Sequence, residues 1–295
     1  MLGYIYAVAL AFIWSIAAIF YRYAVREGNV KFVTLIRIYP AFLVTIIGVN
    51  LLDKLEIYHL SNPLVLSLSI ITGACGILLG SYAYIYAIKH AGIAITYPIA
   101  FSYPVYVSII ATALMGEKVT IGLVSGLILQ VTWIVLIAYN SNNYVNKSDM
   151  NGVIAAIIAS LSWAIQAILI KIALYSVTPV LFAFDRLLVT SILTLPLLLK
   201  EIYKEQRINK NETIASMIGG TLGIGVAIIL YHLAINDTGV ARTALVSSSS
   251  PALSIFFALL ILKERPSFFS SIGSLISNRL SICSNIILEK TLIDV

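Results

Sequence analysis

Apolar stretches about twenty residues long recur along this chain, separated by short interruptions of charge, Asn, Pro or Gly. They lie at 3–24, 31–52, 64–88, 93–115, 119–139, 150–174, 178–199, 212–235 and 240–262, with a weaker one at 267–288. A helix needs about 20 apolar residues to cross the hydrocarbon core of a bilayer, and each of these runs is close to that length. Inside lipid the backbone must satisfy its own N–H and C=O groups, so long apolar runs without strand-like alternation read as helices. Only 11% of the 295 residues are charged, against about 25% in soluble domains. The expectation is therefore an all-α polytopic membrane protein with about ten transmembrane helices, and a water-soluble enzyme is excluded. The first run starts without a charged n-region and lacks a cleavage-site pattern, so it is expected to be retained as a span.

The 19 Lys and Arg exceed the 13 Asp and Glu, for a formal net charge of +6. No segment gathers these bases into a soluble basic domain, so nucleic acid is not expected as a partner. Loops facing anionic headgroups explain the excess better, which makes membrane lipids the expected partner. Cys75 and Cys283 lie far apart in apolar sequence with no metal-ligand spacing, and they read as packing residues.

The interruption at 140–149 has the Asn/Ser/Lys composition of a linker and divides the chain almost in half. When the second half is laid on the first, an internal repeat emerges. At a shift of 149 residues Trp14 falls on Trp163, Arg22 on Lys171 and Arg37 on Arg186. At a shift of 147, Gly76 falls on Gly223, Tyr84 on Tyr231, Gly92 on Gly239, Pro104 on Pro251 and Glu117 on Glu264. Residues 1–139 and 150–295 thus form two units of five spans each. An odd number of spans forces the second unit to enter the bilayer from the opposite side, giving two inverted five-helix repeats around a central cavity. Such halves can rock against each other around a midplane site, so the symmetry implies alternating access to a small-molecule substrate more naturally than catalysis.

The same residues carry a resemblance to a family. In each half a mid-span proline is followed thirteen residues later by a glutamate at the span end. Pro104 leads to Met115-Gly116-Glu117-Lys118 and Pro251 to Leu262-Lys263-Glu264-Arg265, with Gly126 and Gly273 inside the next run. This duplicated arrangement resembles two EamA-type units of the drug/metabolite transporter superfamily, over nearly the whole chain to about residue 277. The resemblance implies a ten-helix carrier of the plasma membrane, commonly an exporter of amino acids or related metabolites, without a cofactor. It also implies cytoplasmic termini. The positive-inside rule points the other way, because eleven loop bases fall on the side opposite the N-terminus and five on its own side. After Ile276 the chain departs from the family pattern, with Asn278, Arg279 and Asn285 where an apolar helix would run.

Several residues inside spans are candidates for the site. Pro104 and Pro251, near the centres of their spans, remove backbone donors and would free carbonyls of Ala100 and Ser247 at membrane depth. Around them Tyr97, Ser102 and Tyr103 in one half, and Ser249 and Ser250 in the other, would line a cavity or bond back to their own helices. Trp14 and Trp163 lie mid-span, where their indole N–H groups need partners; they read either as cavity walls or as packing residues. Gln166 shares the side of Trp163 and makes it polar. Small residues spaced by four, Gly76 and Gly80 against Gly223 and Ala227, allow close helix approach.

The ionisable residues within spans fall into two groups. Arg37 and Arg186 match across the repeat and serve either structure or substrate charge, being near enough to a span end to reach the interface. Asp185 and His232 match Ile36 and Ile85, so they stand as candidates for coupling-ion or proton chemistry. Glu117 and Glu264 are expected to fix loop structure. No HExxH, GxSxG, Walker A or GxGxxG pattern occurs, so the chain is not expected to be an enzyme, and no metal site is expected. The competing reading is a membrane protein without transport activity, either an intramembrane enzyme of another type or a decayed copy of such a carrier.

Overall fold

The computed structural model describes residues 1–26, 28–53, 58–141, 147–204 and 209–257. The expected last span at 267–288, Arg279, Glu264 and Gly273 lie outside these residues.

The described residues are helical, with no strand. Among the described residues, seven helical stretches are long and apolar enough to cross a membrane: Leu2–Ala24, Val30–Leu52, Pro63–Ile93, Ile95–Met115, Met150–Ala173, Pro179–Lys204 and Lys210–Thr238. A shorter apolar helix covers Ile121–Thr132. In element terms the order begins with α1 (Leu2–Ala24), α2 (Val30–Ile36), α3 (Ile38–Leu52) and α4 (Pro63–Thr72), followed by a π-helical segment at Gly73–Gly80. Next come α5 (Ser81–Ala100), α6 (Tyr103–Met115), α7 (Ile121–Ser141), α8 (Lys147–Ala173), α9 (Pro179–Lys204) and α10 (Lys210–Gly220). A second π-helical segment, Thr221–Val226, leads into α11 (Ala227–Thr238), α12 (Val240–Ser247) and α13 (Ser250–Phe257).

Local chemistry sets the starts and stops. Asn29, Asn62 and Asn209 each precede a helix and accept a backbone N–H two residues on, at 2.9–3.0 Å, satisfying a donor that the first turn leaves free. Gly116 closes α6 in the left-handed conformation at φ 66°. Gly92 (φ 76°, ψ 169°) and Gly239 (φ 88°, ψ 164°) hold a backbone region that L side chains avoid. Each of these two breaks the helical path between consecutive apolar runs, at matching positions of the two halves. Gly239 is further secured across the halves, because the two carboxylate oxygens of Glu117 accept from Val240 N at 2.8 Å and Ala241 N at 3.1 Å. Glu117 therefore caps the start of α12.

The prolines act differently from the expectation of a mid-helix break. Pro104 and Pro251 sit in the first turns of α6 and α13, where a missing N–H costs nothing. The breaks lie just ahead of them, in turns at Phe101–Ser102 and Ser248–Ser249. Between the two units, α7 extends to Ser141 and α8 begins at Lys147.

Packing joins the two halves by exchange. The first helix of the chain, α1, packs on α10, α11, α12 and α13 of the second half, whereas α8 packs on α4, α5, α6 and the Gly73–Gly80 segment of the first. Glycines make these approaches possible. A Cβ on Gly223 would lie 2.6 Å from Tyr21 Oη and 2.8 Å from Ala17 Cβ on α1, and one on Gly80 would lie 2.9 Å from the Trp163 indole on α8. Many large apolar side chains remain exposed, among them Leu43, Ile47, Ile109, Leu114, Ile128 and Ile192, as lipid-facing surfaces require.

Candidate functional site

The two exchanged helices and the two π-helical segments enclose a cavity. Four pairs of identical residues at matching positions line it: Trp14 with Trp163, Gly76 with Gly223, Ile77 with Ile224, and Tyr84 with Tyr231. A π-helix widens the backbone register and recurs at functional sites in helices. Here one such segment from each half faces the cavity, through Gly76 and Ile77 and through Gly223 and Ile224.

The rings form a contiguous aromatic wall. Phe101 stacks on Tyr97 with centroids 4.7 Å apart and meets Trp14 and Trp163 edge-on, each at 5.5 Å. Tyr84 lies 5.1 Å from Trp163, and Tyr231 lies 5.6 Å from Trp14. Polar atoms of these rings are used to hold the wall. Trp14 Nε1 donates to Gly223 O at 3.1 Å, Tyr97 Oη donates to Trp14 O at 2.7 Å, and Tyr103 Oη shares a hydrogen bond of 2.9 Å with Ser247 Oγ. Behind Phe101, Gln130 bridges α7 to the break, donating to Phe101 O while its Oε1 accepts from Ser248 Oγ.

Of the residues expected at the site, Trp14, Arg37, Tyr97, Tyr103, Trp163 and Gln166 line the cavity. Ser102, Ser249, Ser250, Pro104, Pro251, Asp185, Arg186 and His232 are not among its lining residues. Ser102 Oγ bonds to Ile99 O at 2.7 Å and pairs with Ser160 Oγ of α8 at 2.9 Å, tying the break to the other half. Ser249 Oγ bonds back to Val246 O at 2.9 Å, and Ser250 Oγ is buried with no partner among the described residues. The sequence-based candidates did not include Tyr21, Tyr84, Phe101 or Tyr231 as lining residues. Tyr84 and Tyr231 carried a legible signal, since they match across the repeat.

The charged residues divide sharply. Arg186 is buried and held through both terminal nitrogens: Nη2 donates to Gln166 Oε1 at 2.7 Å and to Thr72 O at 3.2 Å, and Nη1 donates to His232 Nε2 at 3.0 Å, while Nε has no partner among the described residues. An arginine has only donors, so His232 Nε2 must accept, which places the imidazole proton on Nδ1 facing Pro179 O at 3.1 Å. Both nitrogens of His232 thus serve to position Arg186. Asp185 is buried, and neither of its carboxylate oxygens has a hydrogen-bond partner among the described residues. Arg37 is 1% exposed and sits at the junction of α2 and α3, over the Tyr21 ring at 4.6 Å from its centroid. Gly220 permits this junction to pack, because a Cβ there would lie 2.2 Å from Arg37 O.

Apolar crossing helices around an enclosed aromatic cavity define a multi-pass helical membrane protein with an internal site. The chain belongs to the EamA-like transporter family, whose pattern matches residues 1–139 and 150–278 in two separate segments. It is 27% identical over 200 residues to a protein of Archaeoglobus fulgidus described as an uncharacterized transporter, covering 68% of each chain. A solved structure, titled only as the crystal structure of a protein, superposes over 98% of each chain with a TM-score of 0.75 and 17% identity, a likeness of fold alone. Family and relative together support a transporter.

Proposed function

We propose that the protein is a secondary carrier that exports small polar or amphipathic metabolites, such as amino acids or related compounds, across the plasma membrane by alternating access. The observation that carries this reading is the cavity wall, built from matching residues of the two halves, among them Trp14 with Trp163 and Gly76 with Gly223. A site framed by two similar units can be exposed to either side when one unit rocks against the other. In this reading the chain comprises ten spans in two inverted five-helix repeats, 1–139 and 150–295, and no covalent step occurs. Trp14, Tyr97, Tyr103, Trp163 and Gln166 contact substrate. Asp185, a buried carboxyl without a hydrogen-bond partner among the described residues, is assigned to proton or ion coupling.

The test is solute counterflow in proteoliposomes loaded with amino acids and related metabolites. The carrier reading expects exchange of at least one of them, reduced by Trp14→Ala or Trp163→Ala. No exchange of any solute by correctly folded protein would overturn it in favour of a membrane protein without transport activity. Single cysteines at Lys31 and Lys204 test the orientation: labelling of both from the cytoplasm alone supports the charge-based topology, and labelling from outside alone supports the cytoplasmic termini implied by the family.

A further inference from the structure

Arg37 and Arg186 occupy matching positions and each leaves Nε without a hydrogen-bond partner among the described residues, yet only Arg37 leaves Nη2 without one as well, and the sequence explains why. The acceptors that hold Arg186 are Gln166 and His232; at the matching positions of the first half stand Ala17 and Ile85, which accept nothing. The third acceptor is the carbonyl of Thr72, which corresponds to that of Gly219. Gly219 O is already taken by Tyr21 Oη at 2.7 Å, and Tyr21 itself replaces the Ile170 of the second half. As a result Arg37 Nε and Nη2 have no hydrogen-bond partner among the described residues, although the side chain is buried and lines the cavity.

An arginine in this setting keeps its charge, and a buried charge without an anion is strongly unfavourable. No carboxylate is among the described lining residues. Nε–H and Nη2–H point along one edge of the guanidinium, the parallel pair that a carboxylate engages with both oxygens. We propose that the cavity binds an organic monoanion, its carboxylate on the Nε/Nη2 edge of Arg37 and its apolar body among Trp14, Trp163 and Tyr84. This rests on the carrier reading for its transport consequence, but not for binding. With Arg37 the one cation among the described lining residues, a monoanion is balanced and a dianion is not.

Two of the three tryptophans line the cavity, so their emission reports occupancy. Purified protein in nanodiscs is titrated with butyrate and 3-phenylpropionate, each against its primary amide. At least one acid is expected to bind about 10- to 100-fold more tightly than its amide, the factor that a charge-assisted hydrogen-bonded pair supplies. Arg37→Met is expected to erase that difference, and Arg37→Lys to retain part of it. The acid-to-amide comparison on the unmodified protein needs no variant to fold. Equal binding of acid and amide, or binding of amides alone, overturns the proposal. The same pairs are run in counterflow. Exchange of neutral solutes alone, with the acids bound no better than their amides, removes the anion site and leaves the carrier standing. Arg37-dependent binding of acids without exchange of any solute removes the carrier and leaves the anion site.

Discussion

Substituting Gly76 by alanine should separate two opposing effects on stability. In a helix, alanine is favoured over glycine by about 0.5–1 kcal/mol because less backbone entropy is lost. The new Cβ, however, would lie 1.6 Å from Gln166 Oε1 and 2.2 Å from Gln166 Cδ, so the amide cannot stay where it is. Moving it breaks the 2.7 Å bond that Oε1 accepts from Arg186 Nη2. A hydrogen bond to a charged group is worth about 1.5–3 kcal/mol, and the loss exceeds the propensity gain. The net expectation is destabilisation by about 1–2 kcal/mol. Unfolding in mixed micelles measures this, and a double-mutant cycle isolates the cause. In a Gln166→Ala background the clash is gone, so Gly76→Ala should there be neutral or stabilising. Destabilisation by the same amount in both backgrounds would refute the role of the Gln166–Arg186 contact.

Other substitutions probe further joints of the structure. Glu117→Ala leaves the N–H groups of Val240 and Ala241 without their acceptor and should cost about 1–3 kcal/mol, with Glu117→Gln intermediate because one carbonyl oxygen remains; unfolding free energies check both. Gly239→Ala forces a side chain onto φ 88° and brings Cβ within 2.9 Å of Glu117 Oε1, so it should destabilise by about 1–2 kcal/mol or more. Trp14→Phe keeps the ring wall but deletes the indole donor to Gly223 O; a loss of about 1 kcal/mol in unfolding free energy is expected. His232→Phe removes an acceptor of Arg186 and should lower stability by about 1–3 kcal/mol, whereas a stability equal to the unmodified protein would show that the contact carries no energy.

Much of the bundle can be read from apolar run length alone, because the membrane allows so few backbone solutions. The breaks were legible as to residue type and less so as to place. Pro104 and Pro251 marked them, yet proline is equally at home in a first helical turn, and only the folded backbone shows the turn ahead of it. The π-helical segments at Gly73–Gly80 and Thr221–Val226 left no readable mark, since a change of hydrogen-bond register needs no particular composition. The difference between Arg37 and Arg186 could have been read by comparing what surrounds matching positions, Ala17 with Gln166 and Ile85 with His232. Which residues surround each arginine, however, depends on the exchange of α1 and α8, a long-range fact that no local pattern encodes.

That exchange also bears on how the protein is made. The partners of α1 lie far downstream: Tyr21 bonds to a residue 198 positions later and Trp14 to one 209 positions later. At a synthesis rate of about 5–20 residues per second, α1 stays in the bilayer for roughly 10–40 s before those carbonyls exist. Over that interval the indole N–H of Trp14 and the phenol of Tyr21 have to find temporary partners in water, lipid headgroups or the insertion machinery. Assembly of the first half is thus completed by the second, and a chain halted after the linker would expose in lipid the very faces that later close the cavity.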